Sequence, residues 1–89
     1  GEGIAPQTQR RIKNLVESDP AVIGVGNILS TYESPDEIVL MLIVYFKTGL
    51  DTQEITDAIE RIRKAIKAQY TLVGFVIIQP QALTLTTKQ

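Results

Sequence analysis

The chain has 89 residues, a formal net charge of -1, and neither cysteine nor histidine. A balance this close to neutral gives no electrostatic field that would recruit nucleic acid or steer a strongly charged substrate. The missing residue types exclude disulfides, thiolate and imidazole catalysis, and the ligands that zinc, copper and haem most often use. The length fits one domain, and the longest apolar run is about half of the roughly 20 residues that cross a membrane, which predicts a soluble piece.

The first part of the chain predicts a helix followed by an irregular strand. Residues 1–6 form a predicted linker, and residues 7–18 place apolar side chains on one face of a polar helix. A proline ends that helix, and residues 21–32 have a strand-like composition interrupted by Gly24 and Gly26. This glycine pair lacks the third glycine, the lysine and the following helix of a phosphate-binding loop, so it predicts a bulged or bent strand.

The central segment, residues 38–46, consists of nine consecutive apolar residues that follow a turn containing Pro35 and Asp36. This spacing predicts an antiparallel hairpin with the preceding strand. A strand of a small antiparallel sheet normally alternates apolar and polar residues, because only one of its faces packs against a core. A strand without polar positions needs cover on both faces, and we expect a second copy of the chain to cover the second face.

Residues 50–69 give the clearest helical pattern. Asp51 and Glu54 have the spacing of a capping box, and isoleucines recur at helical intervals to form one apolar stripe. Two ion pairs are predicted from charges four residues apart, Asp57–Arg61 and Glu60–Lys64.

The end of the chain predicts a third strand and a tail. Residues 72–79 have strand composition and are closed by Pro80. The tail, residues 81–89, alternates leucines with threonines, which allows a weak fourth strand at the sheet edge. We therefore expect one domain over residues 7–80.

The predicted order is helix, strand, strand, helix, strand. The right-handed crossover rule makes the second and third strands parallel if they are neighbours, which places the apolar run at the centre of the sheet. Two helices on one face of a three-stranded mixed sheet give an α+β plait, similar to a ferredoxin-like fold that lacks its first strand.

The apolar central strand has two different faces. One is aliphatic with a phenylalanine, which suits a core beneath helices, and the other holds methionine and tyrosine, which are favoured at interfaces. Phe75 and Ile77 of the third strand join the second face if their neighbours point to the helices. A homodimer interface is therefore predicted from five residues: Met41, Ile43, Tyr45, Phe75 and Ile77. The alternative is coverage by the tail, which offers only Leu83 and Leu85.

Four segments carry a family resemblance through their order along the chain. They are Gly1-Glu2-Gly3, residues 19–26 (DPAVIGVG), residues 32–35 (YESP) and residues 46–55 (FKTGLDTQEI). In this order they resemble the cytoplasmic C-terminal domain of cation diffusion facilitator transporters, and the resemblance runs from the first residue to about Pro80.

The resemblance implies a homodimeric α+β regulatory domain beneath a membrane domain that exchanges zinc or a similar divalent cation for protons. It places the chain at the cytoplasmic face of the cell membrane, with residues 1–6 leading from the last transmembrane helix of the same polypeptide. The transport chemistry would then lie outside this chain.

The sequence departs from the family at the positions where many relatives place metal ligands. The corresponding neighbourhoods here contain Gly26 and Asn27, Leu42, and residues 79–81. None offers the thiolate, imidazole or carboxylate donors that zinc prefers. Carboxylates remain elsewhere: Asp19, Glu33, Asp36 and Glu37. Acids at turns are normally solvated, so we predict no high-affinity metal site and no cofactor.

Other functions have little support in the residues. No serine is accompanied by histidine and no paired carboxylates mark an apolar cleft, so we expect no enzymatic activity. The tyrosines lack the basic surround of RNA-binding sheets, so no nucleic-acid partner is expected. Arg10, Arg11 and Lys13 form a basic cluster on the first helix, for which a solvated face is the default and weak contact with anionic lipid head groups is the functional alternative.

Two hypotheses of different kinds follow. The preferred one is a cytoplasmic dimerisation and regulatory domain of a divalent-cation efflux transporter. The rival is a free-standing, ACT-like regulatory module that binds a small molecule at a dimer interface, an analogy of fold alone. Several apolar segments directly upstream in the parent reading frame would support the transporter, and an upstream enzyme domain would support the rival.

Overall fold

The computed structural model describes residues 3–83 of the chain. Its elements, in chain order, are α1 (Pro6–Glu17), β1 (Val22–Ser34), β2 (Glu37–Phe46), α2 (Thr52–Gln69) and β3 (Val73–Ala82). This is the order that the sequence predicts, and the apolar run forms almost the whole of β2.

Within residues 3–83 the strands form one three-stranded sheet with the order β1-β2-β3. β1 pairs antiparallel with β2, and β3 pairs parallel with β2. α1 packs against β1, α2 packs against β3, and the two helices contact each other. Both helices therefore cover one face of a mixed sheet, which confirms the predicted α+β plait that is ferredoxin-like without its first strand.

The core lies between the helices and the covered face of the sheet. β2 contributes alternate residues to it, all of them at most 5% exposed: Ile38, Leu40, Leu42, Val44 and Phe46. From the helices, Ile12 and Val16 of α1 and Ile62 and Ile66 of α2 pack against them. Since full burial of such a side chain contributes about 1.5–3 kcal/mol, this layer is what attaches the helices to the sheet.

Both helices begin at residues suited to a helix N-terminus. Pro6 occupies the start of α1, where the missing N–H of proline leaves no intrahelical bond unmade. At α2, Asp51 Oδ1 accepts a bond of 2.8 Å from the Glu54 N–H, and Glu54 Oε1 accepts one of 2.9 Å from the Asp51 N–H. The predicted capping box is confirmed.

β1 is bulged, as its glycines predict. Val25 lies opposite Val44 of β2 whereas Ile28 lies opposite Leu42, so β1 carries one extra residue between them. A bulge of this kind leaves the extra residue outside the hydrogen-bonded ladder and bends the strand. We call the segment Gly26–Asn27 the β1 bulge.

The prediction that the third strand closes at Pro80 is wrong. β3 continues through Pro80 to Ala82, with Pro80 opposite Val44 of β2. β3 is an edge strand, and an edge strand tolerates proline because every second N–H points away from the neighbouring strand.

The two predicted i,i+4 pairs of α2 do not form salt bridges within residues 3–83, although the charge of Asp57 adds to the larger effect of Asp19 in raising the pKa of Arg61. Arg61 binds Asp19 in the loop between α1 and β1, at 2.8 Å. Glu60 binds Arg63 three residues further along the helix, at 3.2 Å. Helical spacing could not predict Asp19 as the partner of Arg61, because Asp19 lies outside α2.

The ends of the described chain have different surroundings. The Ile4 N–H donates to Ser30 Oγ at 2.9 Å and Ile4 packs against the core, so part of the predicted linker is attached to β1. Leu83 is 48% exposed, and the predicted fourth strand through Leu85 lies outside the described residues. Neither helix of the described part is long and apolar enough to cross a membrane.

Candidate functional site

The face of the sheet opposite the helices, which we call the open face, is the main surface feature of the described chain. Along β2, exposure alternates with side-chain direction, so that Leu40, Leu42 and Val44 are buried whereas Met41 is 45% exposed. The apolar central strand therefore has one face in the core and one face that residues 3–83 leave uncovered.

The five residues predicted as interface candidates all lie on the open face. Met41 is opposite Ile77, and Phe75 is opposite Val39. Phe75 and Ile77 are 59% and 51% exposed, whereas Ile43 and Tyr45 are half-buried. The structure thus brings these side chains together on one surface, and their role as an interface stays a prediction.

Ile43 and Tyr45 are less exposed than their neighbours because β1 approaches them closely. A Cβ atom added at Gly26 would lie 3.1 Å from Ile43 Cβ and 3.5 Å from Tyr45 Cε2. Only a residue without a side chain fits easily at this point of the β1 bulge. The missing side chain at Gly26 therefore allows the backbone of β1 to lie close to Ile43 and Tyr45.

The sequence prediction missed one large apolar residue of this face. Leu29 of β1 is 60% exposed and lies opposite Met41. The hairpin could have indicated it, since counting back from the turn through β1 assigns each residue to a face. A register shift between Tyr32 and Ser34, close to the turn, changes that count, so the face of Leu29 was not fixed by the sequence.

The centre of the open face is uncharged and contains a shallow hollow, whereas Glu37 at the start of β2 lies on the same face beside Gly74 of β3. The positions of β2 between Val39 and Tyr45, and those opposite them on β1 and β3, carry no charged side chain within the described residues. The hollow has a volume of about 210 Å³ and is lined by Asn27, Leu29, Met41, Leu42, Ile43, Ile77 and Gln79. Its polar groups are the side-chain amides of Asn27 and Gln79.

The carboxylates that the sequence offered as weak cation ligands do not form a site. Asp19 accepts two hydrogen bonds from Arg61, at 2.8 and 2.9 Å, and one from the Ala21 N–H at 2.9 Å. Glu33 and Asp36 are exposed at the hairpin. Within residues 3–83, no three His, Cys, Asp or Glu side chains lie close enough together to hold a metal ion.

The bidentate contact with Arg61 lowers the pKa of Asp19 below its ordinary value, against the opposing effect of burial and with the support of the Ala21 N–H. Asp19 is therefore a charged group that joins the loop before β1 to α2.

The sequence matches no family model and no curated protein. The fold, an open-faced α-β-β-α-β plait, matches solved structures of the MamM CTD. A manganese form of one variant has a TM-score of 0.77 and 18% identity, and the match covers 86% of this chain and 96% of that chain. For a nickel form the TM-score is 0.79 at 18% identity, over 90% of this chain and 100% of that chain. A cadmium form has a TM-score of 0.79 and 18% identity, and the match covers 89% of this chain and 98% of that chain.

This likeness establishes the fold, and it agrees with the architecture that the family resemblance implied. The metals of those MamM CTD forms do not fit the donors of the open face here. Divalent manganese favours carboxylate and carbonyl oxygens, and softer divalent ions favour imidazole or thiolate. The hollow offers two neutral amides and the thioether of Met41 instead, so we derive no metal chemistry from it.

Proposed function

We propose that this chain is the cytoplasmic dimerisation and regulatory domain of a cation diffusion facilitator transporter, at the cytoplasmic face of the membrane. The order of the four resembling segments and the fold shared with the MamM CTD support this assignment. The membrane domain of the same polypeptide would be its covalent partner. In this role the chain has no catalytic task of its own.

The observation that carries the proposal is the open face. Four large apolar side chains on it, Leu29, Met41, Phe75 and Ile77, are each 45–60% exposed. A contiguous apolar surface of this kind marks an interaction site, since each such side chain gains free energy when it leaves water. A twofold dimer brings a surface against itself, and the uncharged centre of the open face can do so without like-charge repulsion. A second copy of the chain is therefore the occupant we propose.

The cargo that we propose for the whole transporter is a divalent cation of the zinc type. The metals in the three MamM CTD forms, manganese, nickel and cadmium, support a divalent ion. The neutral amides on the open face of this chain support pairing that needs no metal.

Calorimetric titration of the chain with zinc tests the metal-independent part of the proposal. We expect the titration to show no tight, stoichiometric binding of zinc, because the centre of the open face lacks ionisable donors. Tight binding with a whole-number ratio of zinc to chain would contradict this part. The mass of the protein in a chelator, measured in parallel, is expected to remain that of a dimer.

The pairing itself is tested with Ile77→Asp, read out by light scattering over a range of concentrations. A buried unpaired carboxylate costs several kcal/mol, so we expect the variant to shift to the mass of one chain. Ile77 is preferable to Ile43 or Tyr45, because those residues also pack against the β1 bulge within one chain.

Leu72→Asp is the matched control, since Leu72 is 45% exposed and lines a cavity beside Thr8 and Ile12 of α1, on the helix side of the sheet. We expect it to keep the mass of the unaltered chain. If Ile77→Asp and the unaltered chain have the same mass, pairing through the open face is wrong.

The rival, a small-molecule-binding module, has one observation in its favour. The hollow of about 210 Å³ on the open face has an apolar floor and two amides at its rim. This volume is below the roughly 300–1,000 Å³ of typical ligand pockets. A segment of about 20 apolar residues directly upstream of Gly1 in the parent reading frame would favour the transporter.

A further inference from the structure

A second surface feature lies on the opposite side of β1, where α1 passes the β1 bulge. Arg10 and Lys13 are exposed and three residues apart, which places them on the same side of α1. Neither forms an ion pair within residues 3–83, whereas Arg61 and Arg63 each do. α1 has no acidic residue in its first turn, and its one acid, Glu17, follows Lys13 by four residues but forms no ion pair with it within residues 3–83.

The two cations line a groove with the β1 bulge on its other side. The groove has a volume of about 230 Å³ and is lined by Pro6, Gln9, Arg10, Lys13, Gly26, Asn27 and Ile28. No acidic side chain is among these residues. Gln9 adds an amide whose Nε2 also donates to the Ile4 carbonyl at 3.5 Å. Asn27, which lines the hollow of the open face as well, borders the groove at the β1 bulge, where the extra residue lies outside the strand ladder.

Two other concavities of the described chain contain charged residues. One beside the end of β2 has the single cation Lys47, and one beside α2 differs from the groove in the sign of its charge. That cavity, of about 270 Å³, contains Glu54 and Asp57, and its one cation, Arg61, is bound to Asp19. An anion would be repelled there. In the groove beside α1, every charged side chain is positive and every neutral polar side chain can donate a hydrogen bond.

We propose that this groove, which we call the α1 groove, binds a phosphate group. A guanidinium and an ammonium give a fork of donors and a point charge, the combination that binds phosphate oxygens, and the Gln9 amide lies beside them on α1. The groove is open, so it takes the exposed phosphate of a larger molecule as well as free phosphate. Arg11 points elsewhere, about 100° further round the helix, and is not part of the groove.

The α1 groove shares Asn27 with the hollow of the open face. Arg10 and Lys13 lie on α1 and do not line that hollow, so variants at these two residues test the groove separately from the pairing. The 89-residue chain is titrated with inorganic phosphate at constant ionic strength while backbone amide signals are followed by NMR. We expect saturable shifts at residues 9–13 and 26–28. The double variant Arg10→Gln with Lys13→Gln is expected to weaken binding roughly tenfold or more, since each cation near a phosphate surface contributes about fivefold.

The matched control is Lys64→Gln with Lys67→Gln, which removes the same charge from exposed positions on α2. It is expected to bind phosphate as the unaltered chain does. Urea unfolding of both double variants verifies that each is folded. Equal loss of binding in the two double variants would show a general charge effect and overturn the site.

Flotation with vesicles identifies the source of the phosphate. Phosphatidic acid presents a phosphomonoester, and phosphatidylserine presents anionic charge without one. Binding to phosphatidic acid vesicles that depends on Arg10 and Lys13 indicates a lipid head group, and saturable phosphate shifts without vesicle binding indicate a small soluble anion. No saturable shift and no vesicle binding, or vesicle binding that is equal for both lipids and for both double variants, would overturn the proposal.

Discussion

Asp19 is the residue on which the junction between α1, β1 and α2 depends. Its side chain is 10% exposed and accepts hydrogen bonds from Nε and Nη2 of the half-exposed Arg61. We expect Asp19→Asn to lower the free energy of unfolding by about 1 kcal/mol, the value of a good pair that is partly in solvent. Asparagine keeps an oxygen for the Ala21 N–H, so the loss reports mainly on Arg61. Urea unfolding measures it, with Asp36→Asn at an exposed acid as the control.

The same pair predicts a dependence on pH. The pKa of Asp19 is lowered in the folded chain, chiefly by the hydrogen bonds from Arg61. A lowered folded pKa contributes stability above the unfolded value, near 3.8, and this contribution is lost as pH falls through the folded pKa. The difference in unfolding free energy between the unaltered chain and Asp19→Asn should thus be constant near neutral pH and shrink below about pH 3.8. A difference that stayed constant into strong acid would contradict the ion pair.

Among the elements, β1 has the least regular backbone, and its two glycines should respond differently to the same change. A Cβ at Gly24 would meet nothing within 4 Å, whereas one at Gly26 would lie 3.1 Å from Ile43 Cβ. We expect Gly24→Ala to be neutral or to stabilise slightly, because alanine restricts the unfolded chain. Gly26→Ala should be less stable than Gly24→Ala by roughly 1 kcal/mol, because two strands must separate slightly. Thermal unfolding of the two variants checks the order, and the reverse order would show that Gly26 is not in close contact.

The elements were largely predictable because their signals are local. Asp51 and Glu54 lie within one turn of the helix that they cap, and the turn at Pro35 lies between the strands that it connects. The features that were not predictable depend on distant partners. Arg61 binds an aspartate 42 residues away, and Pro80 is tolerated only because β3 lies at the sheet edge. Likewise, the α1 groove combines a helix with a bulge whose register no sequence pattern fixes.

At the scale of the whole molecule, β2 connects the fold to the proposed function. One side of β2 supplies the core, and its other side, with Leu29, Phe75 and Ile77, supplies the uncharged centre of the open face. The alternation of side chains along β2 predicted these two faces. Assigning Leu29 to the open face required the register between β1 and β2. The proposed dimer would bury the apolar side chains of the open face, as the helices bury those of the core face. Both helices lie on the covered face of the sheet, so a dimer of this kind does not use them for pairing.

The central claim is that the open face of one chain contacts that of another. Met41 is the one methionine of the chain, so its methyl signal is unique, and the side chain lies in the middle of the open face. In a mixture of chains labelled at the methionine methyl and unlabelled chains, isotope-filtered NMR detects only contacts between different chains. We predict contacts from the Met41 methyl to aromatic and aliphatic protons of the partner chain. A sample at millimolar concentration with no such contacts, and with the mass of a single chain, would contradict the claim.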